Sequence, residues 1–343
     1  MDKKVGVGGL ARKTEPKRRR SKWEVERRRR YIVLVIISLT IVSALAIIGY
    51  GYYVTRIKPW HQPIVKVNDT VLDMNYFVKM LRLSGVGQDP YGDVESAQQI
   101  AVTMISNELK RQGAQEQFGI LVSEEAVNGK IREIFGSEVT DEDFEQKYKE
   151  VLTSLTKSEL SEADFKRKSV EPEVIRTELV NRIGEAKYPV DEVFPHVHVQ
   201  AILVTGSDNA TAVKERWSEG IGRLAEAFSD SQYYPTTDNV EWVPIGIESS
   251  AFDSYVFGEG SKEENLGRIS DPIEDSEQSG SFWVIQVLGK DDRPLSDDHR
   301  DVLVGEAFNE WLDNEKKPEV NEVTNYLEGE AGYRKISWAL ENI

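Results

Sequence analysis

The distribution of apolar residues divides the chain into regions of different periodicity. The first is an uninterrupted apolar segment at residues 31–54, YIVLVIISLTIVSALAIIGYGYYV, which contains no charged residue. As a helix rising about 1.5 Å per residue it would extend about 36 Å, enough to cross a hydrocarbon layer of about 30 Å. This segment therefore predicts a transmembrane helix.

Helical periodicity dominates the next region, residues 64–192. It opens with IVKVNDTVL at 64–72, where two short apolar runs flank an Asn-Asp pair and predict a hairpin. Asp73 follows as a plausible N-cap, and apolar residues then recur three or four positions apart as far as residue 184. This part of the chain is expected to be mostly amphipathic helix.

Two helix starts in this region share a local signature. Thr140 with Asp143, and Ser161 with Asp164, have the spacing of a capping box, and an aromatic residue follows each pair. The second helix contains Pro172, which is expected to kink or divide it because proline cannot donate the helical hydrogen bond.

The pattern changes again at Pro189. Residues 196–204 and 281–289 predict strands, and residues 210–228 predict a helix between them. Helical periodicity returns at 296–314, and a last short helix is expected around Val320, Val323 and Leu327. The predicted fold class is therefore α+β: a single N-terminal transmembrane helix, a mostly helical domain, and an inserted domain with a small, mainly antiparallel sheet.

Charge is distributed unevenly along the chain, and this asymmetry predicts the orientation of the apolar segment in a membrane. Residues 1–30 contain 13 lysines and arginines but only 4 aspartates and glutamates, although the whole chain has a net charge of −16. By the positive-inside rule the basic tail is cytoplasmic and the acidic body extracytoplasmic. The expected lipid contacts are residues 31–54 and this tail, and nucleic acid is not expected as a partner.

A cleaved signal peptide is the alternative interpretation of the same segment. Ala44-Leu45-Ala46 resembles a cleavage site, but the apolar run continues beyond it through Tyr50. That length favours an uncleaved anchor and hence a single-pass protein of the cell membrane.

The composition excludes several kinds of chemistry. The chain has no cysteine, so disulfides, thiolate nucleophiles and thiolate metal sites are absent. Its four histidines are too scattered for a recognisable metal-binding spacing, and no glycine-rich phosphate loop is present. No metal and no cofactor are expected.

Segments of residues 64–184 resemble the helical chaperone domain of bacterial foldases of the SurA, PrsA and PpiD types. These segments are IVKVNDTVLDMNYFVKML, ISNELKRQGAQEQFGILVSEEAVNGKI and LSEADFKRKSVEP. The later helix EAFNEWLDN resembles the C-terminal segment that returns to complete that domain. The resemblance implies a protein that holds unfolded exported polypeptides on apolar and amphipathic surface.

Residues 196–290 resemble a parvulin, the PpiC-type peptidyl-prolyl isomerase domain of those foldases. The similarity lies in VQAILV, GRLAEAFSD, EWVP, SSAFDSYVF, LGRISDPIED and WVIQV, in that order. The histidine of the family's first strand falls on Ala201, and that of its last strand falls on Trp283. His198 lies three residues before Ala201, which puts it on the opposite face of a strand.

The resemblance also implies a set of site residues. The family's Cys or Asp after the first helix falls on or beside Asp230 and Ser231, the candidate catalytic positions. The apolar side that would hold a proline ring is retained, and its members are Trp242, Val243, Ile247, Phe252 and Trp283. Without the histidines, isomerase activity is expected to be weak or lost, and whether the protein is an enzyme stays open.

Together these features predict a membrane-anchored extracytoplasmic foldase or chaperone that assists the folding of exported proteins. The alternative is a non-catalytic holdase, or an assembly partner dedicated to one membrane or surface protein. The sequence leaves the oligomeric state open. The expected boundaries are a basic tail at 1–30, the span at 31–54, a linker at 55–63, the helical chaperone domain at 64–192, the parvulin-like domain at 193–292, and C-terminal helices completing the chaperone domain at 293–343.

Overall fold

A computed structural model of the protein describes residues 22–86, 93–136, 140–228, 232–234 and 241–343. The chain divides into two units, Met1–Gln62 and Pro63–Ile343. The helices are α1 (Lys22–Tyr52), α2 (Met74–Leu83), α3 (Asp93–Phe118), α4 (Glu124–Phe135), α5 (Asp141–Lys157), α6 (Glu162–Phe165), α7 (Glu171–Lys187), α8 (Ser207–Glu215), α9 (Ile221–Ala227), α10 (Ser250–Ser254), α11 (Asp297–Glu315) and α12 (Gly329–Leu340). The strands are β1 (Pro63–Val67), β2 (Thr70–Asp73), β3 (Val193–Thr205), β4 (Gln232–Tyr234), β5 (Glu241–Pro244), β6 (Ile273–Glu274), β7 (Ser281–Pro294) and β8 (Val323–Asn325).

The first unit contains the apolar segment predicted to span a membrane. It lies in α1, and short π and 3-10 turns continue the helix to His61. Among the described residues, Val33–His61 is the helical stretch long and apolar enough to cross a membrane. A signal sequence satisfies the same criteria of length and composition.

The second unit begins with a small antiparallel sheet whose strand order is β2-β1-β8. The hairpin β1–β2 confirms the turn predicted at Asn68-Asp69, and Asn68 adopts the left-handed conformation with φ 52°. The Nδ2 atom of Asn68 donates to Gln112 of α3 and to Asn321, each at 2.7 Å. Its Oδ1 atom accepts from the backbone N–H of Glu322 at 2.9 Å. One turn residue thus connects the hairpin, α3 and the C-terminal segment.

We expect Asn68→Ala to lower the free energy of unfolding by about 2–3 kcal/mol, because alanine tolerates the left-handed region poorly and forms none of these hydrogen bonds. Asn68→Gly relieves the backbone cost and should lose about 1–2 kcal/mol. Urea unfolding of a fragment beginning at residue 58 measures both values, and exposed Asp69→Ala is the control. A glycine variant as stable as the parent would show that the hydrogen bonds contribute nothing.

Helices form the larger part of this unit. Asp73, Thr140 and Ser161 each accept a hydrogen bond from the backbone N–H three residues later, so the N-caps predicted at these positions are confirmed. Ser123 caps α4 in the same way. The expected division at Pro172 is also confirmed: α6 ends at Phe165, a π turn follows, and α7 begins at Glu171. Helix α7 packs against both α3 and α11 around Leu179 and Phe308.

A second sheet lies between α7 and α11 in the chain, and all its strand pairs are antiparallel. Its order is β4-β3-β7-β6, and β5 pairs with the first half of β3. Alternation along β3 sends Val199, Ala201 and Leu203 into the core on one face, and Ile202 and Val204 into the core beneath α8 and α9 on the other. The predicted α+β class is confirmed.

Two expectations about local structure are wrong. The helix predicted at 210–228 is two helices, because Gly220 interrupts it with φ 89°. The last short helix expected at residues 320–327 is instead strand β8, which pairs with β1, and α12 follows only at Gly329. Val323 and Thr324 are β-branched, and pairing with an open strand edge overrides the local apolar spacing.

Candidate functional site

The two positions onto which the parvulin resemblance maps the family's histidines lie in the same buried cluster. Ala201 on β3 and Trp283 on β7 share this core with Val243 and Phe252. The indole of Trp283 meets the ring of Phe252 edge to face, with ring centroids 5.0 Å apart. Phe252 is 0% exposed and Trp283 is 2% exposed, so neither presents apolar surface to a ligand.

A polar network fixes the Trp283 side chain from its edge. Its Nε1–H donates to Asp275 Oδ2 at 2.6 Å, and the Ser249 hydroxyl donates to the same oxygen at 2.5 Å. The other oxygen, Oδ1, accepts the backbone N–H groups of Glu277 and Gln278 at 2.9 and 2.7 Å. Burial favours the protonated acid, but these donors outweigh it and hold the pKa of Asp275 below its ordinary value.

This network gives the buried indole N–H of Trp283 the hydrogen-bond acceptor that it needs. Asp275 is buried, and each of its carboxylate oxygens has at least two donors. An indole that is held at its edge and packed on its face has no easy alternative rotamer. Trp283 is therefore a fixed core side chain at the position where the resemblance places the family's last-strand histidine.

The other sequence-predicted site residues are placed differently. Val243 is buried in the cluster and Ile247 packs against its margin. The structure does not bring Trp242 into this cluster, because neighbouring residues on a strand face opposite sides. Trp242 instead stacks on His198, with ring centroids 4.8 Å apart, and the Arg293 guanidinium lies 3.9 Å from its centroid.

The two candidate catalytic positions, Asp230 and Ser231, lie outside the described residues. Sequence reasoning missed Asp275 and Ser249 as partners of Trp283. Asp275 stands in LGRISDPIED, a segment that carries the resemblance, but its role depends on a tryptophan that the family does not place there. The available signal was that a buried tryptophan usually needs a hydrogen-bond acceptor for its indole N–H.

A second candidate surface lies on the helical part, between α4 and α5. Phe135, Phe144 and Tyr148 form an aromatic cluster in which each ring is half-buried. The rings of Phe144 and Tyr148 are stacked at 5.7 Å, and Phe135 meets Phe144 edge to face at 5.7 Å. The Arg132 guanidinium lies over Phe144 and pairs with Asp141.

These aromatic rings border an open groove of about 560 Å³, which is floored by Ile131 and edged by Asn128, Asp141 and Glu145. Apolar surface with a polar rim on a soluble body is typical of an interaction site. Within α5, the residues that line this groove are Asp141, Phe144, Glu145 and Tyr148, so the groove follows the first two turns of that helix.

Comparison with known protein families gives one match. Residues 24–180 match the family described as "SurA-like N-terminal domain". The resemblance predicted from the sequence is confirmed for this part of the chain. A search of curated proteins finds no significant match.

Solved structures similar to the chain include foldases and chaperones from several bacteria. The peptidylprolyl isomerase PrsA from Bacillus anthracis is 17% identical, with a TM-score of 0.36 over 70% of this chain and 94% of that one. PrsA from Bacillus cereus is 15% identical, with a TM-score of 0.34 over 82% and 92%. A structure reported for two SurA-like chaperones of Campylobacter jejuni is 9% identical, with a TM-score of 0.25 over 77% and 98%. At these TM-scores the similarity does not establish a common arrangement of the domains.

Proposed function

We propose that this chain, which carries a SurA-like N-terminal domain over residues 24–180, is a membrane-anchored chaperone of the foldase type. It binds unfolded, newly exported polypeptides outside the cytoplasm. The apolar part of α1 and the basic residues on its N-terminal side support the anchor and its orientation, with the N-terminus cytoplasmic. The SurA-type match supports unfolded polypeptides as partners.

The inserted domain, residues 193–292, is proposed to be parvulin-like without isomerase activity. The observation that carries this is the packing of Trp283 against Phe252, with its Nε1–H held by Asp275. Catalysis of prolyl rotation needs a site that binds the twisted amide better than either planar form. A core that has no accessible surface at these side chains offers no such site, so the protein acts by holding chains.

The groove between α4 and α5 is the proposed contact for clients. Its half-buried aromatic rings supply apolar area at a low entropy cost, since each ring has only two side-chain torsions. The C-terminal segment is proposed to complete the chaperone domain, because β8 pairs with β1 and α11 packs on α7.

A refolding experiment tests this function with the fragment that begins at residue 58. We expect no acceleration of the proline-limited refolding of a test protein, and clear suppression of the aggregation of a denatured client. A known parvulin serves as the positive control for catalysis. Acceleration by this fragment would contradict the proposal that the inserted domain has no isomerase activity.

The same assay locates the client surface. Phe144→Ser combined with Tyr148→Ser is expected to weaken suppression several-fold, because hot spots of binding are usually a few aromatic residues. Tyr333→Ser is the matched control, since Tyr333 is an exposed aromatic residue on α12. Equal losses in both variants would argue against the groove. A single client recovered stoichiometrically, without general suppression, would instead indicate a dedicated assembly partner.

A further inference from the structure

The inserted domain is joined to the helical part of the second unit by a two-stranded ribbon. The first residues of β3 pair with the last residues of β7, beginning with Val193 opposite Pro294 and Phe194 opposite Arg293. In the described part of the chain no third strand flanks these two pairs. A ribbon of two strands is marginally stable by itself, so contacts beside it decide how firmly the inserted domain is held.

One such contact joins the turn between β5 and α10 to helix α11. The turn starts beside the ribbon, where the Ile245 N–H donates to the Pro195 carbonyl at 3.2 Å. Gly246 follows with φ 92°, and a side chain at this position would begin 2.9 Å from Leu303 Cδ2. Leu303 lies on α11 and is buried. Glycine thus allows the turn to lie directly against α11.

The carboxylate of Asp253, on α10, holds this turn from the side of the inserted domain. Its Oδ2 atom accepts the backbone N–H of Gly246 at 2.8 Å. Its Oδ1 atom is buried and has no hydrogen-bond partner among the described residues. An ionised carboxylate with a buried oxygen and no donor is costly, whereas the protonated acid has no charge and carries a donor of its own.

The charged side chains that act on Asp253 are both acidic. Glu306 follows Leu303 on α11, and Glu277 lies in the loop between β6 and β7. Burial and these two negative charges raise the pKa of Asp253 to about 6, although the Gly246 N–H acts against them. Three carboxyl groups from three segments thus meet where the inserted domain touches α11.

We propose that the contact of Gly246 and Asp253 with α11 is a proton-dependent closure between the inserted domain and the helical part. The contact is closed when Asp253 is protonated and loosens when Asp253 is ionised. In the open state the inserted domain moves on the two-stranded ribbon and Leu303 is uncovered. This inference goes beyond the proposed function, because it concerns how two parts of the protein are held together whichever client binds.

The direction of the pH dependence follows from linkage. Closure raises the pKa of Asp253 from 3.8 to about 6, so the closed state holds the proton more tightly than a state in which Asp253 meets water. The stabilisation of the closed state is fully present below about pH 4 and is lost as the pH rises through about 6. The ratio of closed to open protein should therefore rise about tenfold between about pH 7.5 and about pH 5.

Distances between two spin labels on the full-length protein in detergent test this inference. The chain has no cysteine, so two introduced cysteines are labelled uniquely. Glu178→Cys on α7 and Asp208→Cys on α8 are exposed positions in the helical part and the inserted domain. We expect a narrow distance distribution at about pH 5 and an additional, broader population at about pH 7.5, with the tenfold change in their ratio.

Variants in the labelled protein identify the titrating group. Asp253→Asn cannot ionise and should keep the narrow distribution at both pH values. Glu306→Gln removes one of the facing charges and should reduce the response. Glu310→Gln is the matched control, because Glu310 also lies on α11 but pairs with Lys187, and it should leave the response intact.

Two results would overturn the inference. One is a distance distribution that is the same at both pH values in the parent. The other is a response that survives Asp253→Asn, which would belong to another group, such as His196 in β3. Glu306 is exposed, so Glu306→Gln keeps the test decisive if Asp253→Asn folds poorly: an unchanged response in that variant also counts against the closure.

Discussion

Replacing Asp164 by alanine is expected to lower the free energy of unfolding by about 3–5 kcal/mol, the range for breaking one side of a buried ion pair. Asp164 accepts from Lys168 at 2.7 Å and from Lys79 at 3.0 Å. The Lys168 side chain is only 7% exposed, and its ammonium lies 4.7 Å from the centroid of the Tyr76 ring. Without the carboxylate, a buried cation has no counter-charge.

The same contacts make stability depend on pH in a defined direction. Burial acts to raise the pKa of Asp164, but the hydrogen bonds from Lys168, Ser161 and Lys79 dominate and hold it far below its ordinary value. A depressed folded-state pKa means that the contribution is fully present above the unfolded value, about 3.9 for aspartate, and is lost as the pH falls through the folded-state pKa. We expect the difference between parent and Asp164→Ala to shrink as the pH drops below about 4.

Urea unfolding of the fragment from residue 58 measures the effect, with matched controls. Glu330→Ala removes an exposed i,i+4 pair with Arg334 and should change stability by less than about 0.5 kcal/mol. Combining Asp164→Leu with Lys168→Met removes both charges and should recover much of the loss, because no buried charge is stranded. A single variant as stable as the parent would show that water reaches Lys168.

Local signals in the sequence predicted the capping interaction of Asp164 but not its contact with Lys79. The spacing of Ser161 and Asp164 predicted the capping box, which depends only on neighbours along the chain. Lys79 comes from a helix 85 residues earlier, and nothing in its surroundings marks it as a partner. The turn at Asn68 is similar: the hairpin followed from residue pattern, but the contact with Asn321 depends on how the C-terminal segment returns.

The core around Trp283 was also only partly predictable from the sequence. Resemblance placed Ala201, Phe252 and Trp283 together, and the structure shows them in one core. Whether that core is an open pocket or a filled one depends on the rotamer of Trp283, which Asp275 holds directly and Ser249 holds through Asp275, from two separate segments of the chain. The period of two along a strand also placed Trp242 on the face away from Val243, which the motif EWVP alone did not resolve.

Trp283 itself gives the second large effect. We expect Trp283→Ala to lower the free energy of unfolding by about 3–5 kcal/mol, because it leaves a large cavity beside Phe252. Trp283→Phe keeps most of the packing but removes the donor to Asp275, and should lose about 1–3 kcal/mol. Trp217→Phe is the control, since its Nε1–H donates to Gln286 at a partly exposed position and should cost less.

The comparison of Trp283→Phe with Asp275→Asn separates packing from hydrogen bonding. If the two groups act through one hydrogen bond, the double variant should be little worse than the worse single variant, and their effects will not add. Additive losses would mean that the indole does not depend on Asp275. If Trp283→Ala were almost as stable as the parent, the Trp283 side chain would not be buried against Phe252 in solution. An accessible pocket would then exist at the family's second histidine position, and the case for a chaperone without isomerase activity would lose its main support.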